Sequence, residues 1–204
     1  MTASQGLPQD GHDYAGLRTK VYHQGSMAFR AHAADRAPWW FDNGDGGRFN
    51  LHGDKGACYV ATSAATAVRE RLRDELIGGG VVSRRLAEAF DVSIVRAPRQ
   101  YRCASVSSPS AVEHGMVREL VTMEDYTVTQ AWSQSLFDAG FDGIFYASAY
   151  TTGGPTAYAL FGEAGAPKET GYIWSLHRHG PDACSAIGVE VEGPPHSISL
   201  DLID

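Results

Sequence analysis

Hydrophobic and polar positions change period several times along the chain, and each change marks an expected element. Two short apolar runs, "KVYHQ" and "MAFRAH", lie between Arg18 and Ala34 and read as two strands, or as a strand and a loop. "PWWFDNGDGGRFN", from Pro38, packs aromatic anchors and glycines too closely for either period and reads as a loop. "ACYVAT" is a short buried strand, bounded by Gly56 and by Thr62 and Ser63, which are natural N-cap types. From Ala64 to about Ile77 apolar residues recur every three or four positions, at Ala65, Val68, Leu72 and Leu76. That spacing predicts an amphipathic helix stopped by "GGG". A weaker helical pattern spans Ser83 to Ala89, "DVSIVRA" is strand-like, and "AVEHGMVREL" fits neither period.

The next helix is expected from about Val128 to Ala139, with Trp132 and Leu136 on one face and Gly140 as its stop. "DGIFYAS" and "TAYALFG", joined through the turn "TTGGP", predict an antiparallel strand pair. "YIWSLHRH", "IGVEVEG" and "SISLDLI" then alternate with period two, giving extra strands within 170–203. Strands outnumber helices and do not alternate with them strictly. The expected class is therefore α+β rather than a doubly wound parallel sheet.

Composition adds bounds. A chain of 204 residues is expected to form one domain, 18–204, after a flexible N-terminal tail, 1–17. The start "MTASQGLPQDGHDYAG" has neither a basic n-region nor an apolar core, so no secretory signal is read there. No apolar run approaches the ~20 residues of a spanning helix. Three cysteines, Cys58, Cys103 and Cys184, are an odd number at wide spacing, which argues against a disulfide framework and for a reducing, cytoplasmic setting. A formal charge of −7 disfavours direct nucleic-acid binding, and no membrane partner is expected. Any anionic ligand must be met by a few placed arginines.

Six short motifs occur in order: "FRAH" (Phe29 to His32), "PWWF" (Pro38 to Phe41), "GGRFN" (Gly46 to Asn50), "CYVA" with "TAVRE" (Cys58 to Glu70), "TQAW" (Thr129 to Trp132), and "DGIFYAS" with "ALF" (Asp142 to Phe161). Together they make the chain resemble the RES-domain family over roughly residues 28 to 162. The resemblance implies a single ADP-ribosyltransferase-like domain with a mixed, mainly antiparallel split β-sheet core and flanking helices. It also implies an enzyme acting on NAD as substrate, of the kind found as toxins of bacterial toxin–antitoxin pairs. Such enzymes degrade NAD with phosphate or water as acceptor, or move ADP-ribose to a protein. Inorganic phosphate and a cognate antitoxin are thereby candidate partners.

Carried over by position, the family's two arginines match Arg30 and Arg48, its tyrosine Tyr59, its glutamate Glu70 and its serine Ser148. Phe49 stands where the family often has Trp.

The chemistry suits these residue types. Cleaving the nicotinamide–ribose bond passes through a sugar cation akin to that of glycoside hydrolysis. Arginine forks grip a diphosphate in paired charge-assisted hydrogen bonds, which suits Arg30 and Arg48. The glycines around Arg48 are expected to clear side chains from the approach and to permit positive φ. Tyr59 offers a ring for nicotinamide to stack on. Glu70 would bond the ribose 2′-hydroxyl and steady the cation, a contribution of about 3 kcal/mol by analogy with oxyanion donors. Ser148 would bond the nicotinamide amide or fix Glu70. Helical geometry sets Glu70 some ~160° from Leu72, on the polar face, so its role requires that face to border a cleft.

Weaker signals are the pair His177 and His179, which no further ligand completes into a metal site, and Trp39 and Trp40, which line the cleft or pack beneath the loop. "GGG" lacks the lysine and hydroxyl of a P-loop, so ATP is not expected. Two other functions fit the same motifs, a mono-ADP-ribosyltransferase acting on a macromolecule and a non-catalytic NAD-binding module.

Overall fold

A computed structural model describes residues 4–76, 80–154 and 156–193, without the side chain of Asp74. Strand β1 (Thr19–Tyr22) leads into β2 (Met27–Ala33), whose residues are alternately buried and accessible, and then into β3 (Lys55–Ala61), where burial is nearly continuous. Helix α1 (Ala64–Leu72) follows and runs into a 3-10 turn, Arg73–Leu76. Ser63 is its N-cap, with extended backbone and a hydroxyl that accepts from the Thr66 N–H at 3.1 Å, leaving one fewer helix donor unpaired. Strand β4 (Val81–Ser83), helix α2 (Arg84–Glu88), β5 (Phe90–Arg96) and β6 (Tyr101–Ser105) come next. The ambiguous stretch resolves into two 3-10 turns, Pro109–His114 and Arg118–Val121, whose period of three explains why neither template fitted. Helix α3 (Tyr126–Asp138) is capped by Asp125 and followed by Gly140 at φ 81°. The chain continues through β7 (Gly143–Tyr146), β8 (Ala157–Glu163), β9 (Trp174–His179), α4 (Gly180–Ser185) and β10 (Glu190–Glu192). The expected strand "SISLDLI" lies outside the described residues.

The strands form one eight-stranded sheet in the order β1-β6-β7-β8-β3-β2-β5-β9, together with a parallel pair, β10-β4. Among the described residues of the large sheet, β6 and β7 are the one parallel pair. The fold is thus α+β, with a mainly antiparallel sheet and flanking helices. Helix α3 covers one face of the sheet centre, sealing Trp132 and Leu136 over Ala57, Ile144, Ala159 and Phe161. Cys58, Val60, Cys103 and Leu160 point to the opposite face, under Trp39 and Phe41. Helices α1, α2 and α4 bury a third cluster against β5 around Phe90 and Val92.

Residues 5–17, expected as a tail, lie along this body. Tyr14 and Leu17 join the α3 core, the Tyr14 hydroxyl meets Ser135 Oγ at 2.7 Å, and Trp132 Nε1 donates to Gly6 O at 2.8 Å.

The strand register opens the sheet at one place. Strand β3 pairs with β8 from Lys55 to Ala61, and β2 pairs with β5 from Met27 to Ala33, yet β2 and β3 meet only at Phe29↔Ala61. The sheet splits there, and the gap between the two strands is a wedge.

Candidate active site

The wedge opens into a cavity of about 440 Å³, walled by β2, β3, the polar face of α1 and the loop carrying Arg48. Arg30, Arg48, Tyr59 and Glu70 all line it, although they come from four different elements. Ser148 does not line it. Its hydroxyl, almost fully buried, is a hydrogen-bond partner of Glu70 and also accepts from the Tyr150 N–H at 3.2 Å.

The Arg48 loop is held by side chains rather than by regular structure. Asn50 is wholly buried and donates its amide to Asp42 Oδ2 at 2.6 Å and to Gly44 O at 2.7 Å. Its Oδ1 accepts from the Tyr59 hydroxyl at 2.9 Å, and that same phenol oxygen accepts the Phe49 N–H at 2.8 Å. From α3, Gln130 Nε2 donates to Gly47 O at 2.9 Å and to Asp45 O at 3.2 Å, while the Thr129 hydroxyl donates to Arg48 O. The Arg48 guanidinium donates to Met123 O and sits 4.9 Å over the Tyr126 ring. Tyr59 and α3 together therefore fix where Arg48 points.

The glycines act differently from expectation. None of Gly44, Gly46 and Gly47 adopts positive φ. Gly47 is needed because a Cβ there would lie 2.2 Å from Asn50 Oδ1, so the bare position admits the clamp residue.

The opposite wall is less satisfied. Arg30 is 9% exposed; its Nη1 contacts the Cys58 thiol, and its Nε is buried with no partner. Beside it His32 lies 2.9 Å from Ala33 O through Nδ1 and 2.9 Å from Ser93 Oγ through Nε2. A carbonyl only accepts, so Nδ1 carries the proton and Nε2 accepts from Ser93. Burial holds the imidazole pKa below its ordinary value, and Arg30 adds to that.

Glu70 lies on this wall. Burial pushes its carboxyl pKa up, against the downward pull of the Ser148 hydrogen bond and the charges of Arg48 and Arg73. Helix α1 buries Thr66, Ala67, Val68 and Leu72, so its polar side, with Glu70 and Arg71, faces the wedge. The helical-wheel requirement on Glu70 is met by the cleft itself.

Trp39 and Trp40 divide their roles. Trp39 packs beneath the loop with Phe41 and Tyr172, whereas Trp40 lines the cavity. His177 rests against Phe29 and His179 bonds Asp91 at 2.9 Å. Among the described residues no group of three or more His, Cys, Asp or Glu converges as metal ligands.

The clamp residues Asn50, Thr129 and Gln130 were not singled out from sequence. A signal did exist: Thr129 and Ser133 are polar residues on the same stripe of α3 as Trp132 and Leu136, and buried polar groups demand partners.

No curated protein matches the chain. A chain of the crystal structure of the M. tuberculosis MbcT-MbcA toxin-antitoxin complex shares its fold, with a TM-score of 0.59 at 16% sequence identity, over 82% of this chain and 91% of that one. The RES domain family model matches residues 27–179, from the first residue of β2 to the last of β9, and so takes in both walls of the wedge. By that match the chain belongs to the RES domain family.

Proposed function

We propose that the protein cleaves NAD at the nicotinamide–ribose bond and passes ADP-ribose to phosphate or water. The observation carrying this reading is the convergence of Arg30, Arg48, Tyr59 and Glu70 on one wedge-shaped cavity. Its volume, about 440 Å³, falls in the range of small-molecule sites.

In this reading Arg30 and Arg48 grip the diphosphate. Arg48 is already oriented by Met123 O and Tyr126, so little freedom is lost on binding. The Tyr59 ring is the surface on which nicotinamide stacks. Its hydroxyl is committed to Phe49 and Asn50 and its pKa is raised by burial, so it serves as a wall and not as an acid. Glu70 accepts from the ribose 2′-hydroxyl and sets negative charge beside the anomeric carbon as the bond to nitrogen breaks. The bonding electron pair leaves with neutral nicotinamide. An oxygen of phosphate or water then bonds the anomeric carbon, and water gives up a proton in doing so. Ser148 keeps Glu70 aimed, and its hydrogen bond favours the ionised carboxylate against the effect of burial.

A solved structure of similar fold is a toxin–antitoxin complex. On that basis we further propose a toxin whose action a partner protein restrains. Among the described residues no helix is long and apolar enough to cross a membrane.

The test incubates purified protein with NAD, with and without inorganic phosphate, and identifies products by mass spectrometry. Nicotinamide released together with ADP-ribose or its 1″-phosphate supports the reading. ADP-ribose recovered on protein moves the function to a macromolecular transferase. NAD left intact under every acceptor overturns cleavage and leaves a binding module.

A further inference from the structure

We propose that Arg36 and Arg71, on the outer flank of the cavity, form a second anion subsite that takes a phosphate group additional to the dinucleotide's diphosphate. The proposal rests on the NAD reading above and deepens it.

Charge is the first reason. The chain carries a net −7, yet the cavity is lined by Arg30, Arg36, Arg48, Arg71 and Arg73 against only Asp42 and Glu70. Asp42 is occupied by the Asn50 amide. None of the ion pairs among the described residues includes any of these five arginines. A diphosphate brings two negative charges, which Arg30 and Arg48 match. Arg73 acts on Glu70. Arg36 and Arg71 are left without an anion.

Geometry is the second reason. Arg71 follows Glu70 on α1, so the turn of helix that points the carboxylate into the wedge also brings Arg71 to its wall. Arg36 lies just past β2, its guanidinium 5.0 Å over the Trp40 ring, a stack that orients the fork while its N–H edges stay available. Arg71 is an exposed residue whose guanidinium is partly desolvated at the cavity wall; that desolvation and then repulsion from Arg73, Arg30 and Arg36 lower its pKa. A bound anion relieves that repulsion. The ordinary alternative is a pair of solvated surface guanidiniums; it explains their exposure but not the gathering of so much positive charge, unpaired, around one cavity of an acidic chain.

Two ligands present this chemistry: free orthophosphate, which would serve as acceptor with its oxygen bonding the anomeric carbon as nicotinamide departs, and a phosphate ester on the dinucleotide's adenosine ribose, as in NADP. Equilibrium binding separates them and needs no turnover. Calorimetric titrations of inorganic phosphate, NAD and NADP are run on protein with the wild-type arginines and on the double variant Arg36→Gln/Arg71→Gln, both carrying Glu70→Gln so that NAD is not consumed during the titration, at constant ionic strength with chloride as balance. If orthophosphate is the ligand, its affinity falls at least ~tenfold in the variant while the NADP-to-NAD ratio holds. If the ester is the ligand, the protein with the wild-type arginines prefers NADP and the variant loses that preference by a similar factor. The proposal is overturned if the protein with the wild-type arginines neither binds phosphate nor prefers NADP, or if NAD affinity drops as far as that of the phosphate ligand. Failure of the enzyme to consume NAD would remove the proposed reaction and leave these binding results able to stand.

Discussion

The two walls of the wedge differ in how well their polar groups are satisfied. On the α3 side, Asn50, Thr129, Gln130 and the Tyr59 hydroxyl complete hydrogen bonds before any ligand arrives. On the β2–α1 side Arg30 keeps a buried Nε without a partner, burial raises the Glu70 pKa, and Arg71 is crowded by like charge. The first wall is built for stability and positions a residue. The second holds a buried donor without a partner and two groups, Glu70 and Arg71, whose environment disfavours their charged forms, which is how sites that act on a ligand are recognised.

The sharpest way to break the comparison is at Glu70. Glu70→Gln should lower NAD turnover by about 10²–10³, by analogy with loss of a preorganised charge-stabilising group. It should leave the melting temperature unchanged or raised, because it removes a carboxylate whose ionised form burial disfavours. Steady-state kinetics beside calorimetry checks both; retained turnover, or a melting temperature lowered by several degrees, would place Glu70 on the structural wall instead.

The reverse is expected of the α3-side clamp. Gly47→Ala drives a methyl into the Asn50 side chain and should destabilise the protein by about 1–3 kcal/mol, with a raised KM for NAD as Arg48 loses its aim. Tyr59→Phe keeps the ring and strands the Phe49 N–H and Asn50 Oδ1, for a loss of roughly 1–3 kcal/mol. Denaturant unfolding measures each loss. A Tyr59→Phe protein of wild-type stability would mean the loop is held by other means.

How far the sequence disclosed each wall follows from the same contrast. Strands β2, β3, β5, β7 and β8 announce themselves through alternation or unbroken burial, and α1 and α3 through helical spacing and their caps. Strand β6 was not anticipated, since "YRCAS" buries four of its five positions without a clear period. Nor was α4, a six-residue helix that opens with Gly-Pro. A Cβ at Gly180 would lie 2.0 Å from Ala87 O, a close approach that only packing reveals. The charged residues of the site stood out because family spacing marked them. The clamp did not, because its bonds run from α3 back to a loop some 80 residues earlier, a pairing no local pattern encodes.

The smallest expected effect concerns pH and separates the walls by sign. Glu70 in the folded protein has a pKa above its ordinary value, so the folded state binds a proton at pH values where the unfolded chain has released it. The associated stability is therefore fully present below the unfolded pKa and is lost as pH rises through the folded one. Wild type and Glu70→Gln should converge in stability toward acid, with the variant the more stable near neutrality. Activity runs the other way: the reaction uses the carboxylate, so turnover should fall on acidification through a midpoint above the usual glutamate range. Ser148→Ala removes a hydrogen bond that lowers this pKa and should move the acid limb upward, whereas Thr129→Ala, on the other wall, should leave the midpoint in place and act on NAD affinity through Arg48. A pH profile of kcat/KM, which reports the free enzyme, decides the matter for the two alanine variants. Equal displacement of both midpoints would show that the walls are coupled through Arg48, which lowers the Glu70 pKa from across the cavity.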